Sequence, residues 1–187
     1  MAKYTCFESV NMASTHYAER IFDAMCDVDV ENGTFGYLDG LVEGEQVVYK
    51  FVAGFKAGEP VVVVDQPAWT EDTCRITNQR KDKYVNESGK KFRVRTVKKL
   101  DEFGITIEGV TSVTQNVVTS VSDFTANSVF LTIDATGKLV ASKESKEDVV
   151  MEARIMRKRM MGGELITTAH KYGYSAAMYE AKVVTLA

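Results

Sequence analysis

The chain has 187 residues, of which 45% are apolar and 26% charged, and its formal net charge is -3. This length and composition predict a single domain over residues 1–187 and exclude wholesale disorder, which requires low hydrophobicity together with high net charge. The longest apolar runs, such as Val61–Val64, are far shorter than the ~18 residues of a membrane-spanning helix. The first residues also lack the apolar core of a secretory signal, so we expect cytoplasmic synthesis and no membrane partner.

Residues 1–30 are interpreted as an N-terminal arm that carries one helix. Between Ala13 and Cys26, four apolar side chains recur at helical spacing, and these are Tyr17, Ile21, Phe22 and Met25. Such spacing places them on one side of an α-helix, where they can pack against a core or a neighbouring subunit. The pattern therefore predicts one amphipathic helix over residues 13–26.

The residues after this helix are typical of short strands and turns. Gln46–Ala53 and Pro60–Asp65 are rich in Val, Tyr and Phe and are separated by a glycine-containing segment, which predicts a hairpin or the corner of a small barrel. Thr106–Val121 and Val129–Ile133 are also rich in β-formers. Asp134–Lys138 has the composition of a tight turn into the next strand.

The C-terminal part also predicts strands. Residues 141–148 are polar and charged, so we expect an exposed loop there. Apolar and charged residues alternate from Met151 to Ile155, and Gly162-Gly163 suits a hairpin turn with positive φ. We interpret the two flanks of this glycine pair as antiparallel strands, with one Met-rich helix as the alternative. Tyr179–Val183 alternates again and predicts a strand held within a sheet.

These elements together predict the fold class. No alternation of strands with long helices is present, which disfavours a parallel α/β sheet. We expect a mainly β, or α+β, fold in which short antiparallel strands form a small barrel or sandwich, with one N-terminal helix.

Charge is unevenly distributed along the chain. From Glu19 to Asp72 twelve acidic residues accompany three basic ones, whereas from Arg75 to Lys99 ten basic residues accompany two acidic ones. The two blocks either neutralise each other within one fold or lie on different surfaces, at least one of which faces a neighbouring subunit. On the second interpretation Arg93 and Arg95 are candidate contacts, and reversing their charge slows association. The negative net charge and the lack of a nucleic-acid-binding motif predict no direct nucleic-acid partner.

The sequence contains no pattern of residues that indicates catalysis. Nucleophile elbows, zinc-protease motifs and glycine-rich phosphate loops are all missing. His16 and His170 have no second histidine or cysteine nearby in sequence, and the three cysteines, Cys6, Cys26 and Cys74, form no Cys-x-x-Cys pair. We therefore predict that the protein is not an enzyme, holds no cofactor or metal, and keeps its cysteines reduced.

Two regions resemble proteins of tailed bacteriophages. Met151–His170 followed by Tyr179–Ala187 resembles small structural proteins encoded among the head genes of phages of Gram-positive and gut bacteria. The stretch from Gly44 to Val61, in which a strand leads into Ala-Gly-Glu-Pro-Val, is similar to phage head decoration, or cement, proteins. The resemblance implies a non-enzymatic β-rich virion protein that sits on the outer capsid surface, bridges major capsid subunits and lies beside copies of itself. It carries no individual functional residue with it.

A protein with this role needs side chains that anchor it to a neighbouring subunit. A chain end can reach across a neighbour, so Phe7, Tyr17 and Phe22 of the N-terminal segment are candidates. Trp69 is a further candidate, because a large ring beside the turn at Pro67 forms a rigid anchor. The alternatives are a phage tail, baseplate or head–tail connector component, and a β-domain enzyme or ligand-binding module without a recognisable motif.

Overall fold

The computed structural model describes residues 4–16, 20–67, 84–111, 127–146, 148–160 and 177–187. Within these ranges the chain forms twelve strands and one short α-helix, arranged as a closed five-stranded barrel and a seven-stranded sheet. The elements in chain order are β1 (Phe7–Asn11), α1 (Ala13–His16), β2 (Ile21–Met25), β3 (Phe35–Leu41), β4 (Val48–Ala53), β5 (Val62–Val64), β6 (Phe92–Thr96), β7 (Glu102–Thr106), β8 (Val110–Thr111), β9 (Phe130–Ile133), β10 (Leu139–Ser142), β11 (Met151–Met160) and β12 (Ala177–Leu186). The predicted mainly β class is confirmed.

The barrel contains strands β2 to β6 in the order β2-β4-β3-β5-β6. It closes because β2 pairs with β4 in parallel and with β6 in antiparallel orientation. The two segments predicted around β4 and β5 therefore form part of a barrel and not a hairpin with each other, because β3 lies between them. Inside, the rings of Phe51 and Phe92 meet edge to face at 5.7 Å. Gly36 leaves the space for this packing, since a Cβ there would lie 2.6 Å from the Phe51 ring.

The seven-stranded sheet has the order β1-β7-β12-β11-β9-β10-β8. β11 and β12 pair in antiparallel fashion along most of their lengths, which confirms strands there and excludes the Met-rich helix over Met151–Met160. Gly162-Gly163 and the segment after it lie outside the described residues. The turn between β9 and β10 is confirmed: the Asp134 carboxylate accepts hydrogen bonds from the backbone amides of Thr136 and Lys138.

The barrel and the sheet share a boundary at β5. All four residues of Val61–Val64 are buried, although successive side chains of a strand point to opposite faces. Val62 and Val64 belong to the barrel interior, whereas Val61 and Val63 pack into the large core that faces the sheet. The valine run is uninterrupted because both faces of this segment pack against a hydrophobic core.

Phe35 of β3 makes the main aromatic contact across this boundary. Its ring lies 6.4 Å from that of Phe7 and 5.5 Å from that of Phe103, two residues of the sheet. The β9–β10 turn approaches the same place, where the Phe35 amide donates to the Gly137 carbonyl at 2.7 Å. A Cβ on Gly137 would lie 2.2 Å from the Phe35 carbonyl oxygen, so the close approach requires glycine.

The predicted N-terminal helix is confirmed, but its predicted extent to residue 26 is wrong. The described helix spans Ala13–His16, whereas Ile21–Met25 forms a barrel strand, because its backbone is hydrogen-bonded to β4 and β6. Residues 17–19, including Tyr17, lie outside the described residues. The preceding segment is not a free arm either, since β1 pairs with β7 at the edge of the sheet. Partners distant in sequence here override a local helical pattern.

The predicted exposed loop at residues 141–148 begins later than expected. Ala141 is buried and, with Ser142, belongs to β10. Residues 143–146 are exposed, and this part is held to β11 by the Glu152 carboxylate, which accepts hydrogen bonds from the Ser145 hydroxyl and the Lys146 amide.

Phe35→Ala tests the aromatic contact between barrel and sheet. We expect the variant to lose about 3–5 kcal/mol of unfolding free energy, because truncating a fully buried phenylalanine removes apolar contacts and leaves a cavity. Phe55→Ala is the matched control, since Phe55 is 51% exposed and its truncation should cost less than about 0.5 kcal/mol. Chemical denaturation measures both values, and equal losses would contradict the assignment.

Tyr179 of β12 provides a test at alkaline pH. Burial and, secondarily, the negative charge of Glu108 raise the pKa of Tyr179 to about 12 from its ordinary value of 10.0. The folded state holds this proton more tightly, so the contribution of Tyr179 to stability is complete below pH 10.0 and is lost as the pH rises towards 12. We expect Tyr179→Phe to lose about 1 kcal/mol less than the parent between about pH 9 and about pH 11, measured by denaturant unfolding. Identical pH profiles would show that Tyr179 does not titrate in this window.

Candidate interaction surface

The acidic and basic sequence blocks meet within the barrel. Asp23 of β2 lies opposite Arg93 of β6 in the antiparallel register. The Lys91 ammonium is 2.8 Å from the Glu45 carboxylate. The prediction that the two blocks lie on different surfaces is therefore wrong, because charges of both blocks meet on the barrel. Lys91 and Glu45 neutralise each other as an ion pair, whereas Asp23 and Arg93 lie opposite each other without forming one. Strand pairing decides this outcome for Asp23 and Arg93, because it brings two residues that are far apart in sequence to the same point.

Arg95 is the most buried of these cations. Its Nε donates to the Asp65 carboxylate, and its Nη1 donates to the Ser14 carbonyl at 3.2 Å. The side chains of Arg95 and Asp65 are only 10% and 15% exposed. Arg93 is fixed nearby, since its Nε donates to the Asp65 carbonyl and its amide donates to the Gln66 side chain. These two arginines hold the end of β5 to β6 and to α1, so Arg95 is corrected from a contact candidate to a residue of the fold.

The described residues expose six large apolar side chains, namely Val10, Val28, Leu41, Val47, Phe55 and Leu100. Single exposed apolar residues are common on proteins, so those that adjoin further apolar surface give the stronger indication of an interaction. Val47 meets this condition, because it lines a groove at one end of the barrel.

This groove arises from the parallel pairing of β2 with β4. Because the two strands start at the same end, the residues at their N-terminal ends lie side by side. The groove has a volume of about 320 Å³ and is lined by Ile21, Phe22, Asp23, Gln46, Val47 and Tyr49. The rings of Phe22 and Tyr49 meet edge to face at 5.6 Å and form an apolar wall. Val47 is 66% exposed at the rim.

The hairpin between β3 and β4 positions the rim of the groove. The Val42 amide donates to the Val48 carbonyl at 2.9 Å, and the Glu45 amide donates to the Val42 carbonyl at 3.0 Å. Gly44 has a φ of +82° at the tip, a conformation that favours glycine. The backbone thus presents Val47 to solvent on an ordered turn.

The structure brings together few of the contact candidates chosen from sequence. Phe22 lines the groove, as a contact residue could. Phe7 is corrected, because it is buried in the core beneath Phe35 and Phe103 and offers no surface. Trp69, like Tyr17, lies outside the described residues.

The described residues include no cluster of three or more His, Cys, Asp or Glu side chains suited to a metal ion. In this part of the chain no helix has the length and apolar character needed to cross a bilayer. His16 is exposed, Cys6 is buried and Cys26 is half-buried. Cys74 and His170 lie outside the described ranges.

Searches against protein-family models, curated proteins and solved structures give no match. The assignment of function therefore rests on the residues themselves and on their arrangement.

Sequence reasoning missed Val47, Phe55 and Leu100. Each is a large apolar residue in a turn or strand connection and has polar or glycine neighbours. For Phe55 and Leu100, an apolar residue where turn chemistry predicts a polar one is the signal that could have identified them, because turns lie at the surface. Val47 lies within the predicted strand Gln46–Ala53 and gives no such signal.

Arg95→Ala tests the structural role of the buried ion pair. We expect a loss of roughly 3 kcal/mol of unfolding free energy, since the variant leaves the Asp65 carboxylate without its cation in a poorly solvated site. Lys91→Ala is the matched control, because it removes a solvent-exposed ion pair with Glu45 and should cost less than about 1 kcal/mol. Denaturant unfolding measures both losses. If Arg95→Ala lost less than about 1 kcal/mol of unfolding free energy, the structural role assigned to Arg95 would be wrong.

Proposed function

We propose that this chain is a non-enzymatic structural protein of a tailed bacteriophage, bound to the outer capsid lattice as a head decoration protein in contact with the major capsid protein. The observation that carries the proposal is the resemblance of the stretch from Gly44 to Val61 to phage cement proteins, taken together with its place in the fold. In the structure this stretch is β4 with its two flanking connections.

The stretch exposes a large apolar side chain at each end of β4. Val47 precedes the strand, and Phe55 follows it and is 51% exposed. Gly54, with a φ of +101°, packs against the β9–β10 turn, where a Cβ would lie 2.7 Å from the Ala135 carbonyl oxygen. Phe55 is therefore presented next to a fixed backbone, and such a preorganised aromatic residue loses little conformational entropy when it binds. We assign Phe55 as the contact with the capsid.

A decoration role also agrees with the physics of a capsid. A protein that binds only the assembled lattice stabilises it by mass action at every site, so modest affinity at many equivalent positions is sufficient. Such a protein requires contact area and an ordered fold, and reactive groups contribute nothing to this task.

The test mixes purified protein with undecorated capsids of its own phage. We expect saturable binding in sedimentation and a higher temperature of capsid disruption when the protein is bound. Phe55→Asp should weaken binding by at least about tenfold, because it places a charge in an apolar contact. Val28→Asp is the control, since Val28 is also exposed but lies outside the stretch from Gly44 to Val61.

Two outcomes would contradict the proposal. In the first, the capsids remain bare and the protein co-purifies with tails. This result would mean that the protein belongs to the tail, baseplate or connector and is not a decoration protein. Equal binding by the parent, Phe55→Asp and Val28→Asp would leave attachment intact and overturn the assignment of Phe55.

A further inference from the structure

The turn between β6 and β7 has an unusual conformation. Leu100 has a φ of +75° and is 61% exposed. The turn is well fixed: the Leu100 amide donates to the Val183 carbonyl at 3.0 Å, and the Asp101 amide donates to the Lys98 carbonyl at 3.1 Å. The buried Asp101 carboxylate also accepts from the amides of Lys98 and Ala13. These hydrogen bonds hold the Leu100 side chain outwards.

Leucine is a poor choice for this position on structural grounds alone. A left-handed backbone strains residues with a Cβ, and glycine or asparagine adopts it at lower cost. Because the Leu100 side chain is mostly exposed, its burial within the chain does not offset the cost of the left-handed backbone. A strained residue at an exposed position is therefore a candidate for a role outside the fold.

The surroundings of Leu100 are positively charged. Lys98 and Lys99 are both exposed, and neither forms an ion pair with any residue in the described ranges. Leu100 and Lys99 together present an apolar tip with a cationic flank, which we call the β6–β7 knob.

The groove at the end of the barrel has the opposite character. Phe22, Tyr49 and Val47 form an apolar side of the groove, Gln46 and Asp23 contribute polar surface, and Asp23 is exposed. Within the described part of the chain, no ion pair involves Asp23. The groove therefore has room for an apolar side chain. Asp23 is an exposed carboxylate that forms no ion pair with Arg93, the residue opposite it, so the groove complements the cationic flank of the knob in charge.

We propose that the occupant of the groove is the β6–β7 knob of a second copy of this chain, with Leu100 inserted against Phe22 and Val47 and with Lys99 paired to Asp23. The knob lies where β6 leads into the sheet, and the groove lies at the barrel, so each copy contributes two different surfaces. Contacts of this heterologous kind repeat from copy to copy and produce rings or longer arrays. The contact does not use Phe55 and does not depend on capsid attachment.

Sedimentation velocity of the purified chain over a concentration series, without capsids, tests the contact. We expect concentration-dependent association of the parent. Leu100→Gly should weaken association by at least about tenfold, because it removes the inserted side chain. The same variant should keep its melting temperature or gain up to roughly 4 °C, because glycine relieves the positive φ. A residue with only a structural role would not show this combination.

Charge reversal supplies an independent arm of the test. Asp23→Lys and Lys99→Asp should each weaken association by roughly two- to fivefold, as expected for an exposed ion pair, and the double variant should recover most of the loss. Val28→Asp is the control with an unrelated exposed apolar residue and should associate like the parent.

Three results would overturn the inference. The parent could remain monomeric up to concentrations on the order of 1 mM, which would mean that the groove does not bind a second copy. Leu100→Gly could associate as tightly as the parent. The double charge variant could associate no better than the single ones. Because capsids are absent, these results are separate from success or failure of the decoration proposal.

Discussion

The burial of β5 on both of its faces is the constraint on which the rest of the structure depends. Val62 and Val64 fill the barrel, while Val61 and Val63 face the core beneath the sheet. The four-residue run Val61–Val64, which contains β5, therefore joins two hydrophobic cores, and neither sheet can shift relative to the other without exposing apolar surface. Phe35 extends this joint to the sheet through its ring contacts.

Hydrogen bonds and ion pairs next to β5 use some of the charged side chains of the barrel. Asp65 follows β5 directly and binds Arg95, which in turn holds α1 through the Ser14 carbonyl. Lys91 and Glu45 likewise join the basic and acidic blocks of the sequence within the fold. The groups left over, such as Asp23 and Lys99, are therefore the informative ones, because an exposed charge without a partner in the described residues is available to another molecule.

The described surface keeps a few large apolar side chains exposed. The groove, Phe55 and Leu100 are presented by hydrogen-bonded turns, and each offers apolar contact. Preorganised contacts of this kind reduce the entropy lost on binding, so a small subunit can bind repeatedly with few side chains. The proposed capsid contact at Phe55 and the proposed contact between copies at Leu100 would use separate surfaces of the chain.

The sequence by itself determined the local features. Alternation at Tyr179–Val183 and the side-chain hydrogen bonds of the Asp134 turn depend on neighbouring residues, and the mainly β class follows from such patterns. Only the tertiary structure decided the rest. Ile21 and Phe22 have helical spacing but lie in a strand, because that strand pairs with β4 and β6. Phe7 is a core residue because other parts of the fold cover its side chain. Whether a side chain is buried or exposed depends on which distant segments meet, and that information is not contained in the periodicity of any single segment.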